Sequence, residues 1–252
     1  MKNTLIGCMG VFFMKHGEAR FMSCMYVLSL TLLVMLAARG LRQAATVSAE
    51  TEPVTIPLVI LDAGHGGPDG GCSAADGTLE KTVNLEIVRK TDAVLGLLGA
   101  DTLLVRDMDT DLSDASAQSI SQKKVTDIRN RVALVNEHPD SVLVSIHQNT
   151  YPQEKYSGAQ VFYNGAGRPL AELIQQTLAQ AVDPSNQRQA KAISPDIYLM
   201  KHVKVPAVLI ECGFLSNREE AEQLKSSGYQ RQLAVAIGVA LVNQLRVEDS
   251  GV

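Results

Sequence analysis

The chain has 252 residues, 46% of them hydrophobic and 20% charged, which is enough for one α/β domain with a sizeable core. It contains no Trp and only 4% aromatic residues, which argues against a sugar-binding module built on aromatic platforms. Residues 1–50 hold 5 of the 23 basic and 2 of the 27 acidic residues, so the rest of the chain carries a net charge of −7. This balance argues against nucleic-acid binding.

The N-terminal part contains one long apolar run, residues 22–38 (MSCMYVLSLTLLVMLAA), with Arg20 before it and Arg39 after it. Its length lies between that of a signal-peptide core and that of a membrane-spanning helix. A buried core helix is the alternative, but the run lacks an amphipathic pattern. We therefore interpret residues 1–49 as a leader that exports the protein. Its segment 22–38 is either cleaved or retained in contact with the membrane, so the rest of the chain is expected at the outer face of the membrane, in the cell wall or outside the cell.

The leader is followed by a short linker, residues 50–56, and by a domain predicted to span residues 57–248. Strands and helices alternate along this domain, as expected for a mainly parallel sheet covered by helices. Strands are predicted at 58–61, 102–105, 142–146, 159–163 and 205–210, and helices within 82–98, 125–137, 170–184 and around 233–245.

Three of the predicted strands run into polar residues that can bind a metal. The first leads to His65 in a Gly-rich segment, the third to His147, and the fifth to Glu211. The carboxyl ends of strands in open α/β sheets share one crevice, and Glu80 would enter it at the start of the first helix. Two imidazoles and a carboxylate form a known catalytic zinc set, and a further carboxylate can act as general base.

Other interpretations of these residues are weaker. A lone His at a strand end is more often a surface residue, but four glycines flank His65 and permit close backbone approach. A dinucleotide loop is excluded because the Gly-x-Gly-x-x-Gly pattern is absent. A thiol nucleophile pair of Cys212 and His147 is less favoured than a small packed cysteine. The remaining histidines are interpreted as surface residues: His16, His138 and His202.

Taken together, these segments resemble the signature blocks of the zinc-dependent N-acetylmuramoyl-L-alanine amidases (the amidase-3 family). The blocks are residues 62–71 (DAGHGGPDGG), Glu80, residues 145–149 (SIHQN) and residues 211–217 (ECGFLSN), with Arg131 and the segment 196–200 also similar. The resemblance covers about residues 57–246 in the expected order. Thr150-Tyr151 departs from it, because the family usually has a small residue there.

The resemblance implies a zinc hydrolase that cleaves the amide bond between N-acetylmuramic acid and L-alanine of peptidoglycan. It implies one Zn²⁺ per chain held by His65, Glu80 and His147, with Glu211 as the catalytic base. It also implies a zinc-exopeptidase-like fold with a mixed six-stranded sheet and helices on both faces. Asn149 and Asn217 are candidate substrate contacts. The short domain further resembles the germination-specific amidases that trim the spore cortex, and no activator protein is identified.

Two other functions stay open at the sequence level. A different zinc amidohydrolase or carboxypeptidase would be expected to place an Arg for a terminal carboxylate, and the sequence identifies none. A catalytically dead wall-binding protein conflicts with the intact set of metal and base residues. For Cys72 and Cys212, alternation along the last strand predicts that Cys212 points away from Glu211, so two free thiols are expected.

Overall fold

The computed structural model of the chain describes Thr31, Met35 and residues 56–249. The chain divides into two units, Met1–Val54 and Thr55–Val252. Thr31 and Met35 are helical, and the rest of the predicted apolar segment 22–38 lies outside the described residues, as do most of the leader and linker. Within the described part of the chain, no helix has the length and apolar character needed to cross a membrane.

The second unit alternates strands and helices. In chain order they are β1 (Leu58–Ala63), α1 (Glu80–Leu97), β2 (Thr102–Leu104), α2 (Ile120–Asn136), β3 (Ser141–Asn149), β4 (Gln160–Tyr163), a short 3-10 helix (Gly165–Gly167), α3 (Arg168–Ala181), β5 (Lys191–Ala192), α4 (Tyr198–His202), β6 (Ala207–Phe214), α5 (Arg218–Lys225) and α6 (Ser227–Asp249).

The strands form one six-stranded sheet in the order β2-β1-β3-β6-β4-β5. Every neighbouring pair is parallel except β4 and β6, which are antiparallel. The expected mixed, mainly parallel six-stranded sheet is therefore confirmed. Its central strands, β1, β3 and β6, contain the apolar segments that were predicted to lead to the site residues.

Side-chain alternation along the central strands divides the core into two layers. On one face, Val59, Val144 and Ile210 pack with α1, α3 and α6. On the other face, Ile60, Leu143 and Leu209 pack with α2 and α4. Helices thus cover both faces, as the resemblance implied. His147 and Glu211 share the parity of Leu143 and Leu209, so the strands present both to the side of α2 and α4.

The structure differs from the sequence predictions at several element boundaries. His147 and Glu211 lie within β3 and β6 rather than after them, because both strands continue to the edge of the sheet. Helix α2 begins five residues before the predicted start at 125. Ser119 caps it, its hydroxyl accepting from the Gln122 amide while the Gln122 side chain accepts from the Ser119 amide. The two-residue β5 is exposed and α4 has five residues, too short for a periodic pattern.

Candidate metal centre

The predicted metal-binding residues meet at the carboxyl edge of the sheet. His65 follows β1, Glu80 opens α1, and His147 lies near the end of β3. Glu211 of β6 is the register partner of His147, so the parallel pairing of β3 and β6 sets these two residues side by side. The fold therefore brings together four residues that span 147 positions of sequence.

Three of these side chains form a cluster that can hold a metal ion. One ligand atom from each of His65, Glu80 and His147 lies within 4.8 Å of the others. His65 Nε2 is 3.3 Å from Glu80 Oε2, and His147 Nδ1 is 3.1 Å from Glu80 Oε1. The Glu80 carboxylate thus lies between the two imidazoles, and the donor atoms are two nitrogens and a carboxylate oxygen.

The orientation of His65 is fixed by a carboxylate on the far side of its ring. His65 Nδ1 is 2.9 Å from Asp69 Oδ2, which leaves Nε2 directed at the cluster. The other oxygen of Asp69 lies 2.8 Å from Lys124 Nζ. Burial lowers the pKa of His65, but hydrogen bonds and charges from Glu80 and Asp69 outweigh it and raise the pKa to about 9.

Glu80 is held as an ionised carboxylate in the interior, where it is 3% exposed. Its Oε1 accepts a hydrogen bond from the Gln148 amide (3.0 Å) and its Oε2 from the Cys72 amide (2.9 Å). Burial opposes ionisation, yet the two histidines outweigh it and hold the pKa of Glu80 far below its usual range. The carboxylate is therefore charged and oriented before any ligand binds.

Glu211 differs from Glu80 in having little support from hydrogen bonds. Among the described residues, its Oε2 is a buried oxygen without a hydrogen-bond partner. Burial raises the pKa of Glu211 to about 7, against the opposing charge of His147 and with an added contribution from Glu80. A buried, unpartnered carboxyl beside a metal-binding cluster is suited to accept and donate protons.

The glycines around His65 are required by close packing. A Cβ at Gly64 would lie 2.2 Å from the ring of His147, and a Cβ at Gly71, which has φ of 69°, would lie 2.5 Å from Glu80 Oε2. His65 itself has φ of 63°, in the left-handed region that few non-glycine residues adopt. The Arg131 guanidinium donates to the His65 carbonyl oxygen (2.8 Å), which helps to hold this backbone conformation.

A buried ionic network supports the β1 side of the centre. Arg131 of α2 pairs with Asp62 of β1, and both side chains are 2% exposed. The second oxygen of Asp62 accepts from the Ser145 hydroxyl at 2.6 Å. Arg106 donates to the carbonyl oxygens of Ala63 (2.8 Å) and Gly64 (3.2 Å). These contacts satisfy the backbone groups of the Gly-rich segment that the sheet cannot reach.

The centre opens into a cleft of about 330 Å³ on the side of α2 and α4. Its lining includes His65, His147 and Glu211, together with the charged side chains of Lys124 and Asp69. The hydrophobic residues of the lining are Ile128, Ile197, Leu199 and Leu209. A carbonyl group that enters this cleft would meet the metal-binding cluster beside both charged and apolar side chains.

The two predicted substrate contacts are not among the residues that line this cleft. Asn149 follows an irregularity in the pairing of β3 with β6. Asn217 caps α5, where its Oδ1 accepts from the Glu220 amide (3.0 Å) and its Nδ2 donates to the Glu154 carbonyl (2.8 Å). The structure thus gives Asn217 a role in holding the protein together, and a substrate contact by either residue stays a prediction.

The other cysteines and histidines of the domain lie outside the cleft. Cys72 and Cys212 are free thiols, as expected, and Cys212 is buried in the layer opposite Glu211. His202 is exposed and stacks on Tyr198 with ring centroids 3.9 Å apart. His138 is half-buried, and His16 lies outside the described residues.

Sequence reasoning did not assign a role to several residues that hold the site. Asp69 belongs to one of the blocks that resemble the amidase family, but no pattern in the sequence indicates its bond to His65. Asn84, one turn after Glu80, donates to the Gly64 carbonyl (3.0 Å) and accepts from the Gln148 side chain (3.1 Å). In the sequence, Asn84 can be recognised only as a polar residue on the apolar face of α1, where Val83 and Ile87 also lie.

Most of the chain matches a known protein family. Residues 59–243 match the family model Amidase_3, described as N-acetylmuramoyl-L-alanine amidase. The chain belongs to this amidase family. It is therefore a hydrolase that acts on peptidoglycan, at the amide bond between N-acetylmuramic acid and L-alanine.

Individual relatives of this amidase agree with the family match. The germination-specific N-acetylmuramoyl-L-alanine amidase of Bacillus subtilis is 40% identical over 188 residues, which cover 73% of this chain and 78% of the relative. The structure of the CwlD amidase from Clostridioides difficile, in complex with the GerS lipoprotein, is 38% identical with a TM-score of 0.73, covering 76% of this chain and 99% of that one. The amidase AmiC2 of Nostoc punctiforme is 30% identical with a TM-score of 0.65, covering 77% and 99%.

Proposed function

We propose that this amidase is zinc-dependent, with His65, Glu80 and His147 as the metal ligands and Glu211 as the general base. The observation that carries the proposal is the arrangement of the four side chains. Three donor atoms converge within 4.8 Å, and the Glu211 carboxyl beside them has a buried oxygen without a hydrogen-bond partner in the described part of the chain. In the presence of a bound metal and substrate, this oxygen would take part in the reaction.

The donor set fits zinc better than the harder cations. Two imidazole nitrogens and one carboxylate are a common catalytic zinc set, whereas Mg²⁺ and Ca²⁺ prefer oxygen ligands. The Asp69 carboxylate on His65 Nδ1 is the partner that a metal-bound imidazole usually has. Zinc bound by these three side chains would polarise the scissile carbonyl and lower the pKa of a water molecule to about 7.

Glu211 is suited to both proton transfers that amide hydrolysis requires. It takes a proton from the attacking water, and the protonated carboxyl then donates to the amide nitrogen of L-alanine as the C–N bond breaks. The products are a free lactyl carboxylate on N-acetylmuramic acid and a peptide with a free amine. In the metal-free protein, burial raises the pKa of the Glu211 carboxyl toward neutrality. A buried carboxyl of this kind can serve first as base and then as acid.

The biological setting is proposed from the relatives. Because one of them is named as germination-specific, we propose the spore cortex as the form of peptidoglycan on which this chain acts. Because the CwlD structure contains the GerS lipoprotein, a lipoprotein activator is also proposed. Rates on purified cortex and on vegetative wall test the first point, and equal rates would contradict it.

Export is proposed because peptidoglycan lies outside the cytoplasm and because residues 22–38 form an apolar segment. A fusion of residues 1–56 to a reporter that is active only outside the cytoplasm tests this. Activity of the fusion is expected, and an inactive reporter would contradict export through this segment.

The chemistry is tested by product analysis. The full chain is incubated with purified peptidoglycan, with and without a zinc chelator, and the new ends are identified by mass spectrometry. We expect free L-alanine amines and lactyl carboxylates, which disappear with chelator and return when zinc is added. Full activity after complete removal of the metal would refute zinc dependence, and cleavage within the stem peptide would indicate a carboxypeptidase.

A further inference from the structure

A buried amide lies behind the proposed metal ligands, on the side of the sheet that α1 covers. Asn84 is one turn after Glu80 in α1 and is 0% exposed, whereas Val83 and Ile87 on the same face of the helix are apolar. An amide that is enclosed in this way needs hydrogen-bond partners for its polar atoms. The partners of Asn84 therefore indicate its role.

The Asn84 side chain bonds to each of the three chain segments that carry a proposed ligand. Its Nδ2 donates to the carbonyl oxygen of Gly64 at 3.0 Å, and Gly64 directly precedes the first histidine ligand. The same Nδ2 lies 3.4 Å from Glu80 Oε1. Its Oδ1 accepts from Gln148 Nε2 at 3.1 Å, and Gln148 directly follows the second histidine ligand. One amide thus connects the end of β1, the start of α1 and the end of β3.

Gln148 contributes to the same arrangement through its backbone. Its amide N–H donates to Glu80 Oε1 at 3.0 Å, while its side chain donates to Asn84. Neighbouring residues of a strand point to opposite faces, so Gln148 faces α1 while His147 faces the cleft. The carboxylate oxygen that lies 3.1 Å from His147 Nδ1 is therefore also held from the side of the core.

The orientations of both amides are dictated by their partners. A carbonyl oxygen and a carboxylate only accept hydrogen bonds, so Asn84 must turn Nδ2 toward Gly64 and Glu80. Its Oδ1 then faces Gln148, which must turn Nε2 toward it. Gln148 Oε1 is left buried and without a hydrogen-bond partner among the residues that the structure describes. Because such an oxygen lowers the free energy of unfolding, the amide pair is not explained by stability alone.

We propose that Asn84 is a positioning residue for the metal centre, and that its amide fixes the spacing of the ligands before the metal binds. This inference rests on the proposed function, which assigns the ligand roles to His65, Glu80 and His147. Asn84 does not bind the metal itself but acts through the Gly64 carbonyl, the Glu80 carboxylate and the segment after His147. Groups that hold metal ligands in this way typically change metal affinity about 10–100-fold.

The double variant Asn84→Leu/Gln148→Met tests the proposal in the full chain, because it replaces both amides by apolar side chains of similar volume. The groups that lose a bond keep another partner. The Gly64 carbonyl still accepts from Arg106 (3.2 Å), and Glu80 Oε1 still accepts from the backbone amide at position 148 (3.0 Å). The metal-free double variant should therefore unfold at a urea concentration close to that of the wild type. Its zinc affinity, measured by competition with a chelator, should fall about 10–100-fold.

Another buried polar residue of α1 provides the matched control. Thr91 is 0% exposed, and its hydroxyl donates to the carbonyl oxygen of Ile87 (2.9 Å), about 10 Å beyond Asn84 along the helix axis. Thr91→Val should keep the wild-type zinc affinity. Asn84→Ala is a second test variant, in which the vacated space can admit water to Gln148 Nε2. Its zinc affinity should fall as that of the double variant does.

The two measurements separate a positioning role from a structural one. A structural amide would change the urea midpoint of the metal-free protein and leave the zinc affinity of the folded protein unchanged. Wild-type zinc affinity in either folded variant would therefore overturn the inference, while zinc binding by the wild type would leave the proposed metal centre standing. A wild type that binds no zinc would instead refute the proposed metal centre, and this inference with it.

Discussion

The Arg131 guanidinium and the Asp62 carboxylate form an ion pair behind the metal centre, with both side chains 2% exposed. The same guanidinium donates to the carbonyl oxygens of Ala63 (3.1 Å) and His65 (2.8 Å), so one side chain of α2 connects β1 to the metal-binding segment. Burial alone would raise the pKa of Asp62, but the charge of Arg131 outweighs it and the pKa lies below its ordinary value.

Replacing Asp62 is expected to destabilise the protein strongly. Asp62→Asn leaves the buried Arg131 without its main counter-charge, so the free energy of unfolding at pH 7 should fall by about 3 kcal/mol. Urea denaturation measures this. Glu172→Gln is the control, because its pair with Arg168 is exposed and should contribute less than about 1 kcal/mol.

The same variant has a defined pH dependence. Because the folded pKa of Asp62 is lowered, its contribution is present above the unfolded pKa of about 3.9 and is lost as pH falls through the folded value. The stability difference between wild type and Asp62→Asn should therefore shrink in strong acid. A difference that grows below pH 4 would contradict the ion-pair explanation.

Metal content should depend on His65. The full chain is expected to bind about one zinc ion, and His65→Ala should lose it, because one of the three proposed protein ligands is removed. Elemental analysis after dialysis measures the ratio. His202→Ala, which alters an exposed histidine stacked on Tyr198, should retain zinc. Full zinc occupancy in His65→Ala would show that His65 is not a ligand.

The two glutamates should separate binding from catalysis. Glu211→Gln should retain zinc and lose hydrolysis by about 10²–10⁴-fold, because the proposed general base is removed while the proposed ligands remain. Glu80→Gln should weaken zinc binding itself. Near-normal hydrolysis by Glu211→Gln, with its zinc content measured in the same preparation, would show that another group takes the proton.

Zinc affinity should rise with pH in the neutral range. In the metal-free protein the pKa of His65 is about 9, so zinc must displace a proton from this ring and its apparent affinity should rise up to about tenfold per pH unit until pH 9. The raised pKa also stabilises the metal-free protein below pH 6.5, and this contribution is lost as pH rises through 9. Competition with a chelator between pH 6 and 9 measures the affinity.

Asp69→Asn tests the cause of this pH dependence, since it removes one of the two carboxylates that raise the pKa of His65. Its affinity curve should become less steep between pH 7 and 9. A curve identical to that of the wild type would mean that Asp69 does not set the protonation of the ring.

Cys72 and Cys212 should remain free thiols under oxidising conditions. Cys212 is fully buried in the core layer opposite Glu211, while Cys72 Sγ lies 3.8 Å from the Gln148 carbonyl oxygen. Alkylation after denaturation, followed by mass spectrometry of peptides, should label both residues. A crosslinked peptide that joins them would require a movement of the Gly-rich segment.

The position of the candidate metal centre could be predicted from the sequence, because three apolar strand segments lead to a histidine or glutamate: His65, His147 and Glu211. Since parallel strands share an edge, even residues as distant along the chain as His65 and Glu211 are predicted to lie together. Residues such as Asp69 and Asn84 could not be assigned in this way, because their partners are fixed by the path of a Gly-rich segment that has no periodicity.

Other features had no local signal or a misleading one. The exposed two-residue β5 shows no alternation, so only the family resemblance indicated a sixth strand. Helix α2 starts with polar, exposed residues, and the Ser119 and Gln122 pair identifies its beginning better than hydrophobic spacing does. For Asn217 the sequence signal was misleading. An asparagine in a block that resembles the family can be a helix cap as readily as a ligand contact, and Asn217 caps α5.

The alternation along β6 has a consequence for insertions and deletions. Glu211 faces the cleft and Cys212 faces the core only because the strand keeps its pairing register with β3. Loss of a single residue between Ala207 and Ile210 would turn a thiol toward the candidate metal centre and drive a carboxylate into the apolar layer. Natural selection should therefore remove insertions and deletions that change the length of this strand, even when every residue of the candidate metal centre is intact.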